Sequence, residues 1–307
     1  MTVRDRLCIV GFGDVGFHWT RTLLEAGYDP DDLVVLYLPH DGGGLARAQA
    51  KAEDLGVSLV AAPDQVPDGA HLYFHATTAS GSEDVLDRCL PHLSPEDVWV
   101  DVNSTGPAAQ ERMAALAAGS AVAFVDAAIM APASKLGHRT PVWAAGPGTP
   151  QFAAWAERWD MPTVLIEGGP GAAAAIKMCT NLIVKGLAAS LVEGLAVAEV
   201  IGVQAHVRDS LADYLGQDLV DSFSQRFIRP TMQHAARRAA EVEQAVEMGE
   251  HLGWDALNGR GVAAFLGRIA QVGGADIAER HEDQAAILRE FSQAYSAWPQ
   301  QRQEVSE

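Results

Sequence analysis

The chain has 307 residues and a formal net charge of −18, which argues against a protein that binds nucleic acid or an anionic membrane surface. Its hydrophobic content of 48% and charged content of 20% are typical of a soluble globular protein, long enough for two domains. Cys8, Cys89 and Cys179 lack the spacing of a metal site, so we expect no bound metal and reduced thiols in a cytosolic protein. We expect no signal peptide, because Met1–Asp5 leads directly into an apolar run.

The first part of the chain has the pattern of a strand, a glycine-rich turn, a helix and a second strand. The apolar run Arg6–Val10 precedes the turn GFGDVG, and the run Leu33–Leu38 follows the helical pattern. In this context the first glycine allows a tight turn, the second lets the backbone approach a pyrophosphate and the third permits close helix–strand packing. The N-terminus of the helix adds N–H donors for the phosphates. We therefore predict a dinucleotide-binding turn formed by Gly11, Phe12, Gly13, Asp14, Val15 and Gly16.

The end of the second strand usually distinguishes NAD from NADP. An acid there binds the ribose 2′-hydroxyl of NAD, and an arginine binds the 2′-phosphate of NADP. In this chain Asp41 comes late for the acid, and Arg47 comes later still for the arginine. His40 suits either cofactor and is predicted to bind it. Both NAD and NADP are therefore compatible with the sequence.

The alternation of strands and helices continues to about residue 168. The later strands are predicted at 58–61, 70–76, 98–102, 122–126, 140–145 and 163–166, with helices at 83–90 and 110–118 between them. Ligands bind at the carboxyl ends of strands in an open α/β sheet, so Ala76, Thr77 and Thr78 are predicted to line the cofactor. An ordinary strand-to-helix loop is the alternative for these residues. The sequence predicts an α/β, Rossmann-type, doubly wound domain over residues 1–168.

A long helix is predicted between Gly168 and Gly202, because the segment contains good helix formers and no proline after its Gly/Pro start. Apolar residues occupy most of its faces, which is typical of a helix buried on nearly all sides. Two lysines and two glutamates argue against a membrane span. Lys177, Asn181 and Lys185 are spaced four apart on one face. A desolvated lysine can act as an acid or base near neutral pH, whereas most helix lysines extend into solvent.

The rest of the chain lacks the strand pattern and predicts an all-helical domain over residues 169–307. We expect further helices at 205–215, 219–229, 233–252, 259–271 and 279–298, with Gly216 and Pro230 among the residues that separate them. The tail from Pro299 is polar and is expected to fray.

The second half also contains a basic cluster. It consists of Arg226, Arg229, His234, Arg237 and Arg238. Arginine forks suit carboxylates or phosphates, so His234 and Arg238 are candidate substrate-binding residues. Pairing with Glu241 and Glu243 within the helix is the simpler alternative.

Four motifs, taken in order, resemble the β-hydroxyacid dehydrogenase superfamily, which includes 3-hydroxyisobutyrate and 6-phosphogluconate dehydrogenases. They are GFGDVG, DVNST at 101–105, DAAIMAP at 126–132 and K-x-x-x-N at 177–181. The segments IKMCTNLIVKGL and HAARRAAEVEQ are similar to a branch with an all-helical C-terminal domain of unknown function.

The resemblance implies an NAD(P)-dependent oxidoreductase that interconverts a hydroxyl and a carbonyl on a small β-hydroxy acid or related molecule. It implies that Lys177 is the general acid/base and that Asn181 orients the substrate. Asn103 and Ser104 resemble an Asn-Ser pair that contacts nicotinamide and substrate, and a simple turn or helix cap is the alternative for this loop. The resemblance also implies a homodimer formed through the C-terminal helices.

One departure from the superfamily affects the substrate. Met130-Ala131-Pro132 stands where the superfamily commonly has Ser-Gly-Gly, and neither Met130 nor Pro132 can donate a hydrogen bond there. We therefore expect a bulkier or less polar substrate group near Met130. Lys185, two turns beyond Lys177 on the long helix, is a second candidate, for substrate binding. Two alternatives stay open: an imine reductase on the same architecture, which commonly carries an acid or tyrosine in place of Lys177, and a non-catalytic NAD(P)-binding regulatory protein.

Overall fold

A computed structural model describes residues 6–38 and 44–304 of the chain. The chain forms two compact units, Met1–Lys177 and Met178–Glu307. His40, which we predict to bind the cofactor, lies outside the described residues. No helix of the described segments is both long and apolar enough to cross a membrane.

The first unit contains an eight-stranded sheet. Its strands are β1 (Arg6–Val10), β2 (Leu33–Leu36), β3 (Ser58–Val60), β4 (Ala70–His75), β5 (Val98–Asp101), β6 (Ala123–Ile129), β7 (Val142–Ala145) and β8 (Thr163–Leu165). They lie in the order β3-β2-β1-β4-β5-β6-β7-β8, and each neighbouring pair is parallel except the antiparallel pair β6–β7. The strand order reverses between β1 and β4, which is the place where doubly wound sheets bind their ligands.

Helices connect the strands of the first unit. They are α1 (Asp14–Glu25), α2 (Leu45–Leu55), α3 (Ser82–Cys89), α4 (Pro107–Gly119), α5 (Ala133–Leu136) and α6 (Thr149–Arg158). The central strands are mostly apolar because both of their faces are covered. Leu7 and Ile9 of β1 belong to the core on one face, and Cys8 and Val10 belong to the core on the other. The predicted Rossmann-type fold is confirmed.

Strand β6 continues beyond the predicted end at Asp126. Ala127, Ala128 and Ile129 pair with β7 in antiparallel register, so the strand includes three residues beyond its predicted end. The apolar alanines gave no signal for this pairing, because it depends on a strand that comes later in the chain.

The second unit is helical. Helix α7 (Ala172–Val200) begins in the first unit and continues into the second, followed by α8 (Gln204–Leu215), α9 (Gln217–Gln233), α10 (Ala235–His251), α11 (Leu257–Gln271), α12 (Gly274–Arg280) and α13 (Gln284–Glu304). Buried side chains of α7, α9, α10, α11, α12 and α13 form its core. The predicted all-helical character is confirmed.

Three predictions about these helices are wrong. Pro230 lies inside α9 and does not end it, because the buried residues Ile228 and Met232 hold both sides of the proline in the core. The last predicted helix is two helices, and the Arg229 guanidinium donates to the carbonyl oxygens of Ala278 and His281 at the break. The helix α13 extends through the tail that was expected to fray, as far as Glu304.

Helix α7 has a face that is exposed in the single chain, although its sequence predicted burial on nearly all sides. The spacing of this face is 4-3-4-3-4, as in the seam of a coiled coil. Its exposed members are Ile183, Leu187, Ser190, Gly194 and Val197, and Ile201 continues the spacing directly after the helix. Its apolar residues are more than a third exposed, so the unit presents a continuous apolar stripe.

Candidate functional site

Three loops meet at the carboxyl ends of the central strands. The Gly11 N–H donates to Leu36 O at 2.9 Å, and the Ala76 N–H donates to Val10 O at 2.8 Å. The Val102 N–H donates to His75 O at 3.0 Å. These bonds place the loops after β1, β4 and β5 side by side at one edge of the sheet.

The glycines of the first loop have different environments. Gly11 has a φ of +97°, and a Cβ there would lie 2.5 Å from Ala76 O. A Cβ on Gly16 would lie 2.2 Å from Gly11 O, whereas a Cβ on Gly13 would meet no heavy atom within 4 Å. Gly11 and Gly16 are therefore required by packing. Gly13 faces open space at the N-terminus of α1, as a close approach by a phosphate requires.

Of the other residues of the turn, Phe12 and Val15 pack against neighbouring side chains and Asp14 is exposed to solvent. The Phe12 ring is buried against the Phe17 ring, with 5.9 Å between centroids. Val15 is half-buried against the core of the unit. Asp14 is exposed and lies 3.5 Å from the His18 imidazole.

A buried histidine–aspartate pair connects the loops after β4 and β5. His75 Nδ1 lies 2.6 Å from Asp101 Oδ2, and both side chains are fully buried. Thr77 Oγ1 lies 2.7 Å from His75 Nε2 on the other side of the ring. The pair therefore fixes the Thr77 hydroxyl, which belongs to the predicted cofactor loop.

Asp101 holds the loop that contains Asn103. The carboxylate accepts the Asn103 backbone N–H at 3.1 Å, the Asn103 amide at 3.0 Å and the Gln110 amide at 2.9 Å. Burial raises the pKa of Asp101, but the opposing effects of His75, Gln110 and Asn103 are larger together and lower the pKa below its ordinary value. Gln110 also donates to Thr105 Oγ1 at 2.6 Å, so the whole loop from 101 to 105 is fixed from α4.

Lys177 meets this loop. Its Nζ donates to Ser104 Oγ at 2.9 Å, and both side chains are half-buried. The sequence places these residues 73 positions apart, yet both were predicted as site residues. The structure brings the predicted acid/base and the predicted substrate contact together.

The start of α7 is held by a second buried carboxylate. Asp126 Oδ2 accepts the backbone N–H groups of Gly171 at 2.8 Å, Ala173 at 3.0 Å and Ala174 at 3.1 Å. Burial raises the pKa of Asp126 to about 6, with a further increase from Asp101, although the three N–H groups oppose the rise.

Two further predicted site residues are Asn181 and Met130. Asn181 lies one turn beyond Lys177 on α7, and its side-chain nitrogen is buried without a hydrogen-bond partner among the described residues. Met130 is half-buried and packs against the small apolar cluster of Ala128, Ala145 and Ala173. Its backbone N–H donates to Pro141 O at 2.9 Å.

The candidates in the second unit gather around Glu241. Lys185 Nζ lies 2.5 Å from Glu241 Oε2, and Arg237 Nη1 lies 3.2 Å from Glu241 Oε1. Arg238 donates to Thr231 Oγ1 at 3.0 Å. His234 is exposed, and its pKa is lowered by partial burial and by the charges of Arg237 and Arg238. Lys185 and Arg238 thus have partners within the second unit. Arg237 pairs with Glu241 on its own helix, as the simpler alternative predicts.

A groove of about 470 Å³ lies elsewhere in the second unit, between α7, α11 and α13. Its polar and aromatic lining includes Ser190, Glu193, Asn258, Phe265, Arg268 and Tyr295, and none of the predicted site residues. No group of three His, Cys, Asp or Glu side chains that could hold a metal occurs within 6–38 and 44–304.

Sequence reasoning missed His75, Asp101, Gln110 and Asp126 as site residues. Three of them carry a visible signal, because a polar residue in a buried strand needs a hydrogen-bond partner. His75 ends β4, Asp101 ends β5 and Asp126 follows FV in β6. Gln110 has no such signal.

Comparisons with known proteins agree with this architecture. Residues 198–269 match the family model described as "Domain of unknown function (DUF1932)". An uncharacterized 28.5 kDa protein of Methanothermus fervidus is 23% identical over 77% of this chain and 88% of its own length. A conserved hypothetical protein from Sinorhizobium meliloti has a TM-score of 0.73 and 24% identity, with 94% of this chain and 97% of the other covered.

Enzymes of known type share the fold at lower identity. A 3-hydroxyisobutyrate dehydrogenase from Mycobacterium tuberculosis, solved with L-serine, has a TM-score of 0.71 and 18% identity over 92% of this chain and 98% of the other. An imine reductase variant from Myxococcus stipitatus, in complex with NAD+, has a TM-score of 0.58 and 17% identity over 94% of this chain and 99% of the other. The chain therefore has the 3-hydroxyacid dehydrogenase fold with a DUF1932 region in its helical part, and the predicted resemblance is confirmed.

Proposed function

We propose that this protein is an NAD(P)-dependent oxidoreductase that interconverts a hydroxyl and a carbonyl group on a small β-hydroxy acid or a related substrate. The observation that carries the proposal is the 2.9 Å contact between Lys177 Nζ and Ser104 Oγ. Ser104 follows β5 at the same edge of the sheet as the Gly11–Gly16 turn. A lysine held at this edge is suited to transfer a proton to or from a substrate oxygen.

The residues present fit a dinucleotide. The open space at Gly13, the positive φ of Gly11 and the start of α1 together suit a pyrophosphate. Ala76, Thr77, Thr78 and Asn103 follow the adjacent strands and would line the rest of the cofactor. When bound, a nicotinamide cofactor supplies or accepts the hydride. The proposal covers both NAD and NADP.

Lys177 would be the general acid/base. In the reductive direction its ammonium group donates a proton to the carbonyl oxygen, and in the oxidative direction its amine accepts the hydroxyl proton. Ser104 would hold the lysine side chain and contact the substrate. Asn181 would orient the substrate, and its unpartnered amide nitrogen among the described residues supports this role.

The remaining substrate-binding candidates differ in how well their surroundings support the role. Met130 would adjoin an apolar substrate group, since its side chain packs in an apolar cluster. Of the candidates in the second unit, His234 has the best support because its side chain is exposed. Lys185 and Arg238 have less support, since Glu241 and Thr231 already satisfy them.

The test is Lys177→Ala, assayed with a panel of hydroxy acids and both cofactors. Loss of the acid/base should lower kcat by about 100- to 10,000-fold while NAD(P)H binding, followed by fluorescence, is retained. Lys51→Ala is the matched control. Lys51 belongs to α2, where its ammonium group lies over the ring of Phe17, and it should be dispensable for turnover. Near-normal turnover in Lys177→Ala would contradict the mechanism.

The same assays distinguish the two alternatives. Because an imine reductase shares this fold, the substrate panel also includes cyclic imines. Imine reduction without oxidation of any hydroxy acid would replace the proposal with an imine reductase. Cofactor binding without turnover of any substrate would favour a regulatory protein.

We also propose a homodimer formed through the C-terminal helices. The apolar stripe on α7, with its 4-3-4-3-4 spacing and with Gly194 and Ser190 near its centre, would pack closely against a second copy. Val197→Asp should convert the dimer to a monomer in light-scattering measurements. Val164→Asp, at an exposed position on β8, is the control that should leave the dimer intact.

A further inference from the structure

We propose that Asp126 is a positioning residue: its carboxylate fixes the first turn of α7 and thereby sets the place of Lys177 beside Ser104. The inference rests on the proposed role of Lys177. Asp126 itself touches backbone N–H groups of the helix and transfers no proton to the substrate.

The contact is a three-fold anchor. A single oxygen, Asp126 Oδ2, accepts the N–H groups of Gly171, Ala173 and Ala174 at 2.8, 3.0 and 3.1 Å. N–H groups at the start of a helix have no partner within the helix, so an acceptor from outside is needed when they are buried. Asp126 is 1% exposed, so its carboxylate is shielded from bulk solvent. The sheet therefore holds the helix directly.

The segment that leads into α7 makes such an anchor necessary. Gly168 and Gly171 have φ values of +124° and +100°, and Gly169 lies between them. Glycines restrict the backbone little, so this link alone does not fix the helix start. A Cβ on Gly171 would lie 3.1 Å from Pro107 O, so the missing side chain lets the backbone pack closely against the start of α4.

The anchor and the partner of the lysine lie on neighbouring strands. Asp126 is aligned with Asp101 in the β5–β6 register, and Ser104 follows Asp101 in the loop after β5. Lys177 comes one turn after Ala174 on α7. Any shift of the first turn against the sheet would therefore change the distance between Lys177 Nζ and Ser104 Oγ. A displacement of about 1 Å can lower a catalytic rate by about 100-fold.

The charge of the anchor depends on pH. Burial raises the pKa of Asp126 to about 6, and the three N–H groups oppose the rise. The charged groups around it are Asp101 on β5, which is paired with His75 and raises the pKa further, and Glu111 on α4, whose side chain lies near Gly171. Hydrogen bonds to a carboxylate are about twice as strong as those to a neutral group. The three hydrogen bonds of the anchor are thus strongest when Asp126 is ionised and weaken as the pH falls through 6, although ionising the buried carboxylate lowers the stability of the fold as a whole.

The test compares wild type with Asp126→Asn, which keeps the shape and one acceptor oxygen but cannot ionise. Turnover is measured between pH 5 and 8.5, and amide hydrogen exchange is measured over residues 171–177. We expect an acid limb near pH 6 in the wild type. In Asp126→Asn the limb should disappear, kcat should be about 10- to 100-fold lower at pH 7.5 and cofactor affinity should be unchanged. The first-turn amides should exchange faster in the variant.

Asp97→Asn is the matched control. Asp97 is also buried with a raised pKa, but it accepts the Ser94 N–H at 2.7 Å and lies near His71, away from α7. This variant should keep the acid limb and the exchange rates of residues 171–177. A purely structural effect of removing a buried carboxylate would instead appear in both variants.

Hydrogen exchange separates failure of this inference from failure of the proposed function. If the wild type turns over no substrate, faster first-turn exchange in Asp126→Asn, and in the wild type below pH 6 after correction for intrinsic rates, still supports the anchor. Unchanged exchange overturns it. If the wild type is active, an Asp126→Asn variant with normal kcat and an intact acid limb overturns the positioning role. Should the variant fail to fold, the pH dependence of exchange in the wild type decides the question.

Discussion

Asp101 and Asp126 stand opposite each other on neighbouring parallel strands, yet their pKa values move in opposite directions. Both are buried, but Asp101 has the imidazole of His75 at 2.6 Å and side-chain amides as donors. Asp126 has only backbone N–H groups as its described donors and is further affected by the charge of Asp101. One carboxylate thus fixes the Ser104 loop and the other fixes the Lys177 helix, so both sides of the Lys177–Ser104 contact are held by the sheet.

The opposite shifts predict opposite effects on stability. The lowered pKa of Asp101 means that its ionised form stabilises the fold above pH 3.8, and that this contribution is lost as the pH falls through its lower folded value. The raised pKa of Asp126 means that ionisation costs stability as the pH rises from 3.8 to about 6. Asp101→Asn should therefore lower the free energy of unfolding at pH 7 by about 3 to 5 kcal/mol, as expected for a broken buried pair.

Asp126→Asn is the comparison in the same denaturation experiment. It removes an unfavourable buried charge and keeps an acceptor, so its loss should be clearly smaller than that of Asp101→Asn. Equal losses in the two variants at pH 7 would contradict this assignment of the two carboxylates.

Substitutions in the glycine turn can separate an effect on cofactor binding from an effect on folding. A Cβ on Gly13 meets no atom within 4 Å, so Gly13→Ala should leave the melting temperature unchanged and weaken NAD(P)H binding by about tenfold or more. A Cβ on Gly16 would lie 2.2 Å from Gly11 O, so Gly16→Ala should lower the melting temperature. Thermal shift and cofactor fluorescence measure both properties. A Gly13→Ala protein that binds cofactor normally would place the phosphates elsewhere.

The hydroxyl of Ser104 should matter for turnover and not for cofactor affinity. Ser104→Ala removes the oxygen that accepts from Lys177 Nζ at 2.9 Å, so the lysine loses its partner in the loop. We expect kcat to fall by about tenfold, since one hydrogen bond to a charged group contributes about 1.5 kcal/mol or more. Ser120→Ala is the control, because Ser120 is exposed at the far end of α4. An equal fall in both variants would remove Ser104 from the mechanism.

The sequence predicted elements that depend on local pattern and missed contacts that depend on distant partners. Strand β1 and the turn after it could be predicted because apolar runs and spaced glycines are local signals. Lys177 and Ser104 were each predicted from their own motif, but their contact was not. His75 pairs with a residue 26 positions away and Asp126 with Gly171, 45 positions away, so no periodicity reveals either role. The inclusion of Pro230 in α9 depends likewise on tertiary packing.

The pair formed by Lys185 and Glu241 allows a structural role to be separated from substrate binding. Lys185 is 8% exposed, and its Nζ lies 2.5 Å from Glu241 Oε2. Burial lowers the pKa of Lys185, although the charge of Glu241 opposes this. The charged lysine therefore costs stability below its folded pKa, and the cost is relieved as the pH rises toward 10.5. Removing Glu241 leaves the Lys185 charge buried without this partner, whereas removing Lys185 leaves Glu241 paired with Arg237. Removing both leaves an apolar contact.

Glu241→Leu should lower the free energy of unfolding by about 3 to 5 kcal/mol, and the double variant should be close to wild type. Lys185→Met should lower it less, because Arg237 still pairs with Glu241. Chemical denaturation of the four proteins gives the coupling directly. Because Glu241 already satisfies Lys185, we expect the double variant to keep its KM and kcat for any substrate that the wild type turns over. A folded double variant with a raised KM would instead show that Lys185 contributes to substrate binding, since its stability would exclude a general loss of structure.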